Sequence, residues 1–69
     1  MQIVDTRGLS CPQPVIETKK VIDAKAVELQ VLVDTIAAKE NVSRYAKAAK
    51  FSVSAVKTEY GWELELKKL

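Results

Sequence analysis

Arg7-Gly8-Leu9-Ser10-Cys11-Pro12-Gln13-Pro14 holds the only cysteine, both prolines and one of the two glycines of a 69-residue chain. Its reading decides the fold, because it joins a short strand, Gln2-Ile3-Val4-Asp5, to a helix expected from Pro12 to about Ala24. Pro12 suits a first helical position: its fixed φ is helical, and its missing N–H would be unpaired there anyway. Cys11 then falls at or next to the N-cap, with Ser10 as the competing cap. A thiol there faces unpaired N–H groups and the positive end of the helix dipole. Both favour the thiolate, so the sequence predicts an accessible thiol more acidic than a free cysteine. Pro12 and Pro14 donate no hydrogen bond, which leaves the N–H groups of Gln13 and Val15 as donors. Gly8 supplies either a positive φ or room for a partner's backbone. Arg7 adds a positive charge near the sulfur. Asp5, the nearest carboxylate, has a strand-end cap as its favoured role, with positioning of Arg7 or the loop as the alternative. A lone cysteine is often an inert small hydrophobe, but Cys11 lies on no apolar stripe and sits between a serine and a proline.

Outward from that stretch, the pattern alternates between two periods. The first helix packs Val15, Thr18 and Ile22 on one face with Val21 beside them, and turns Lys19 and Lys20 to solvent. Val27, Leu29, Val31 and Val33 alternate with Glu28, Gln30 and Leu32, a period-two strand. Asp34 and Thr35 are candidate caps for a second helix. Its stripe is Ala38, Val42, Tyr45, Ala46 and Ala49, with Asn41 and Arg44 on its solvated flank. Phe51, Val53 and Ala55 form the next strand, Tyr60-Gly61 marks a hairpin turn, and Trp62, Leu64 and Leu66 alternate with Glu63, Glu65 and Lys67. The order βαβαββ predicts an α+β, two-layer sandwich: a mixed four-stranded sheet with both helices on one face.

Composition narrows the function. Sixty-nine residues make one domain, 1–69, and so short a chain buries only about 60% of its unfolded surface. Eleven basic and nine acidic residues leave a net charge of +2, too weak to imply nucleic acid. No apolar run is long enough for a membrane span, and no basic-then-apolar leader opens the chain. One cysteine forbids an internal disulfide, which with the missing leader points to the cytoplasm. The absence of histidine removes Cys-His and Ser-His-Asp catalysis and any histidine-containing zinc site, so no metal is expected.

The run Asp5-Thr6-Arg7-Gly8-Leu9-Ser10-Cys11-Pro12-Gln13-Pro14-Val15-Ile16 closely resembles the signature of the TusA/SirA-like family of small sulfur carriers, with its Cys-Pro-x-Pro core. Val33-Asp34 and the later run Lys39-Glu40-Asn41-Val42-Ser43-Arg44-Tyr45-Ala46-Lys47 resemble the YedF-related branch, which is linked to selenium metabolism. The resemblance covers essentially the whole chain. It implies that Cys11 carries a persulfide received from a cysteine desulfurase or similar donor. The persulfide is then relayed to a downstream acceptor, in sulfur or selenium metabolism, tRNA thiolation included. Beyond that covalent persulfide it implies no cofactor. The supporting residues it implies are Asp5, Arg7, Gly8, Pro12 and Pro14. Many relatives carry glycine before the second strand and after the second helix, where this chain has Lys25-Ala26-Val27 and Lys50-Phe51. A non-glycine residue in a left-handed helix end costs about 1 kcal/mol.

A carrier asks little of its own chain, because the partner enzyme can supply any general base; the chain reads as a relay rather than a complete enzyme. Lys19, Lys20 and Arg44 are the candidate docking residues for an acidic protein partner. The rival reading is an RNA-binding module using Lys19, Lys20, Arg44, Lys47 and Lys50, but no aromatic residues interleave with that set. A regulatory interaction domain without thiol chemistry is a third reading.

Overall fold

The computed structural model describes residues 2–9 and 13–69. The expectations for Ser10, Cys11 and Pro12, namely the helix cap and first helical residue, lie outside the described residues. The elements are β1 (Gln2–Asp5), α1 (Gln13–Asp23), β2 (Glu28–Val33), α2 (Ile36–Ala48), β3 (Phe51–Lys57) and β4 (Trp62–Lys68). They form a four-stranded sheet in the order β1-β2-β4-β3. β1 pairs parallel to β2, and β4 pairs antiparallel to both β2 and β3. The three strands β1, β2 and β3 therefore run the same way, with β4 inserted against them. This is the α+β sandwich expected from the period-two and helical patterns.

The alternation decides which face is covered. Val4, Leu29, Val31, Val33, Leu64, Leu66 and Phe51 are buried on the helix side of the sheet. Ala38, Val42 and Ala46 of α2 close over them, and the two alanines let the helix approach. From α1 the buried residues are Pro14 and Thr18, while Val15, Val21 and Ile22 pack at the margin. The Thr18 hydroxyl donates to the Pro14 carbonyl at 2.9 Å, which satisfies it inside the core. Two strand positions differ from expectation. Val27 precedes β2 and is 63% exposed, because α1 ends at Asp23, short of covering it. Ala55 is exposed as well, because β3 is an edge strand.

Both lysines standing where glycine was expected adopt the left-handed conformation, Lys25 at φ 70° and Lys50 at φ 68°. At the end of α1 the Lys25 N–H bonds the Ile22 carbonyl at 3.0 Å and the Ala26 N–H reaches the Val21 carbonyl at 3.4 Å. That pair of bonds is a Schellman cap built around a lysine. The end of α2 repeats the first of them, with the Lys50 N–H on the Lys47 carbonyl at 3.0 Å.

Connectivity sorts the molecule into two poles. At one pole lie the C-terminal ends of β1, β2 and β3, the starts of both helices and the β3–β4 hairpin. The helix ends with Lys25 and Lys50 lie at the other. Charge is partly sorted too: the helices carry Lys19, Lys20, Lys39, Arg44 and Lys47 against Glu17, Asp23 and Glu40, while the register puts Asp5, Glu28, Glu63 and Glu65 on the uncovered sheet face with Lys67. No helix among the described residues is long and apolar enough to cross a membrane.

Candidate functional site

The loop leaving β1 is anchored to the end of β2 residue by residue. Thr6 is fully buried, and both its N–H and its hydroxyl donate to the Leu32 carbonyl, at 3.0 and 2.6 Å. The Leu9 N–H closes a turn on the Thr6 carbonyl at 3.2 Å. Gly8 has φ +80°, so the expected positive φ is present; a Cβ there would meet nothing within 4 Å, so conformation rather than space calls for glycine. The Gly8 N–H donates to the Asp34 carboxylate at 2.7 Å.

Asp5 and Arg7 form one unit. Arg7 donates to both Asp5 oxygens through Nε at 2.9 Å and Nη2 at 2.7 Å, and its backbone N–H adds a third bond at 3.1 Å. The guanidinium side-chain bonds, then the backbone N–H, hold the Asp5 carboxyl at about 2, well below its ordinary value of 3.8. The same bonds raise Arg7. The guanidinium also stacks 4.7 Å from the Tyr60 ring centre, and the Tyr60 hydroxyl lies 3.3 Å from Glu63. Both roles weighed for Asp5 are realised: its carboxylate caps the strand end through the Arg7 backbone N–H and holds the guanidinium through the side-chain bonds. The positive charge expected of Arg7 is consequently matched by a carboxylate, so Arg7 acts as a brace more than as a free cation.

Downstream, α1 opens at Gln13, two residues after Cys11 in the chain. Pro14 is buried among the core residues, so its ring is a packing element as well as a blocked donor. Gly8 before the cysteine and Pro14 after it are thus each held by the rest of the fold. α2 begins at the same pole, capped by Thr35, whose hydroxyl accepts the Ala38 N–H at 3.0 Å. The positive ends of two helix dipoles therefore flank the pole from which the cysteine segment springs. Cys11 and Pro12 themselves lie outside the described residues.

The docking candidates are not brought together. Lys19 is paired with Asp23 at 2.6 Å and Lys20 with Glu17 at 3.3 Å, both within α1. Arg44 lines a groove between α2 and β3 to which α1 contributes no residue. Sequence reasoning missed Thr6, passed over Asp34 as a helix cap when its carboxylate holds the loop, and took Tyr60 as a turn marker only. Their common signal is position: each stands at a strand end of the loop pole.

The family model described as sulfurtransferase TusA matches residues 2–68, and the chain belongs to that family. Its fold is that of a SirA-like protein from Desulfitobacterium hafniense, known from a crystal structure. The TM-score is 0.85 and the sequences are 25% identical, over 97% of this chain and 96% of that one. No curated protein matches the chain.

Proposed function

We propose that the protein is a sulfur relay that carries a persulfide on Cys11. The observation that supports it best is the anchoring of the residues that flank the cysteine in the chain, Thr6 and Gly8 before it and Pro14 and Thr18 after it. A sulfur carrier needs a thiolate that is presented outward and held by its flanks. The Cys11 thiolate attacks the terminal sulfur of a donor persulfide; the donor's S–S bond breaks and the donor leaves as a thiolate, so no net oxidation occurs. The acceptor then attacks the Cys11-bound sulfane sulfur and regenerates the thiol. With one cysteine in the chain, release by an internal disulfide is impossible, and the acceptor must come from outside.

In this reading the donor is a cysteine desulfurase or similar enzyme in the cytoplasm, and the acceptor a second protein. Asp5, Arg7 and Gly8 shape the loop, a proline after the cysteine disfavours the helical region for it, and Arg44 meets an acidic partner surface, while Lys19 and Lys20, already paired within α1, contribute less. We read the Val33-Asp34 and Lys39–Lys47 runs as resembling the YedF-like, selenium-linked branch. The test is intact-protein mass after incubation with a cysteine desulfurase and cysteine. Wild type should gain one sulfur atom that dithiothreitol removes, and Cys11→Ser none. Equal loading of both, or no loading of wild type, overturns the proposal.

A further inference from the structure

Strand β3 is an edge without the usual protection. Natural edge strands are shortened, bulged or charged to prevent pairing with another chain. The opposite edge, β1, is four residues long. β3 runs seven residues in unbroken register with β4, and carries no charge or proline from Phe51 to Val56. Its backbone polarity follows from its two ends. The Thr58 N–H bonds the Gly61 carbonyl at 2.8 Å, and the Leu69 N–H bonds the Lys50 carbonyl at 3.0 Å. Residues 50 and 58 thus point their polar groups at β4, and by the antiparallel alternation so do Ser52, Ser54 and Val56. The N–H and C=O groups of Val53, Ala55 and Lys57 point out of the sheet, and no described strand pairs with them.

The side chains of those outward-bonding residues belong to the helix side. Val53 and Ala55 form the floor of the α2–β3 groove, about 480 Å³ in volume, and Lys39, Arg44 and Lys47 line it against one carboxylate, Glu40. None of the three cations makes an ion pair among the described residues. A strand added at β3 would therefore gain main-chain hydrogen bonds from Val53, Ala55 and Lys57. Every second side chain of that strand would enter a groove that is apolar below and cationic above. A second copy of this chain is a poor occupant, since two-fold pairing would set two cationic grooves side by side.

We infer that the β3 edge and its groove form a binding site for an extended acidic peptide segment of a partner protein, docked as a fifth strand with its acidic side chains toward Arg44 and Lys47. The probe is a capped nonapeptide alternating glutamate with valine, compared with its lysine-for-glutamate counterpart, titrated into the full chain and followed by backbone NMR. The glutamate peptide should bind at least about tenfold more tightly than the lysine peptide, with the largest shifts at the Val53, Ala55 and Lys57 amides. Ala55→Pro removes one outward N–H and leaves the inner ladder whole, so it should weaken binding with an unchanged circular dichroism spectrum. Lys47→Glu, at an exposed helix position, should narrow or invert the preference between the peptides, and it decides the matter if Ala55→Pro fails to fold. Equal binding of the two peptides, no binding of either, or shifts centred on α1 or the open sheet face overturns the inference. Shifts at β3 that follow protein concentration alone would give the edge to a second copy instead.

Discussion

Gly61→Ala should destabilise the protein far more than Gly8→Ala, although both glycines have positive φ. A Cβ at Gly61 would lie 2.7 Å from the Asp34 Cα, and closer still to the Val33 carbonyl oxygen, where ordinary contact begins at 3.4 Å. The hairpin must move off the end of β2 by about 0.7 Å or more, an overpacking that costs about 1–3 kcal/mol. The φ of 155° adds strain of order 1 kcal/mol. Gly8, with open space around it, carries only the conformational part, about 1 kcal/mol. A 69-residue domain has roughly 3–10 kcal/mol in hand at 0.05–0.15 kcal/mol per residue, so Gly61→Ala approaches the limit of folding. Urea denaturation of the two variants measures the difference, expected at about 1–3 kcal/mol. The displaced end of β2 carries Asp34, so the Gly8 amide resonance should also shift in Gly61→Ala. Equal costs for the two variants would refute the close-approach argument.

Leu64, with 0% exposure between sheet and helices, should cost about 2–5 kcal/mol as Leu64→Ala in the same assay, and a loss below about 1 kcal/mol would contradict its place in the core. Pro14→Ala removes buried methylenes and should cost about 1–2 kcal/mol; a neutral result would mean that Pro14 serves only the loop. Asp5 has a folded-state pKa of about 2 against 3.8, so its pairing with Arg7 favours the folded state above pH 3.8 and is lost as pH falls toward 2. An NMR titration of the Asp5 carboxyl should show that low midpoint, and a midpoint at the ordinary value would show the pair open in solution.

Periodicity made the layers legible before any coordinates. Alternation from Leu29 to Val33 and from Trp62 to Leu66 names the covered face, and Ala38, Val42 and Ala46 name the helix stripe that covers it. Val27 and Ala55 show where this reasoning stops: alternation assigns a side, but not whether a helix reaches that far along it. A helix after the cysteine was legible from the prolines, and α1 opens at Gln13. The braces of the loop leaving β1 were not, since the bonds from Gly8 to Asp34 and from Thr6 to Leu32 each span 26 residues, and the contact of Arg7 with Tyr60 crosses most of the chain. Local pattern carries no record of such pairings. The pairing of Lys19 and Lys20 with their own helix neighbours was readable at i,i+4 and i,i+3 spacing, and it lowers their worth as free docking charges.

Lys25 and Lys50 bear on where the molecule opens. Each holds a left-handed backbone that glycine would adopt at about 1 kcal/mol less, and both stand at the pole away from the cysteine loop. Local opening begins where the structure is least stable, so amide hydrogen exchange should run fastest at the ends of α1 and α2 and slow toward the helix starts. Breathing motions are then concentrated at that end of the molecule. A partner gripping the opposite end, where Thr6 and Gly8 are bonded to the end of β2, meets a stiffer surface there and loses less conformational entropy in doing so.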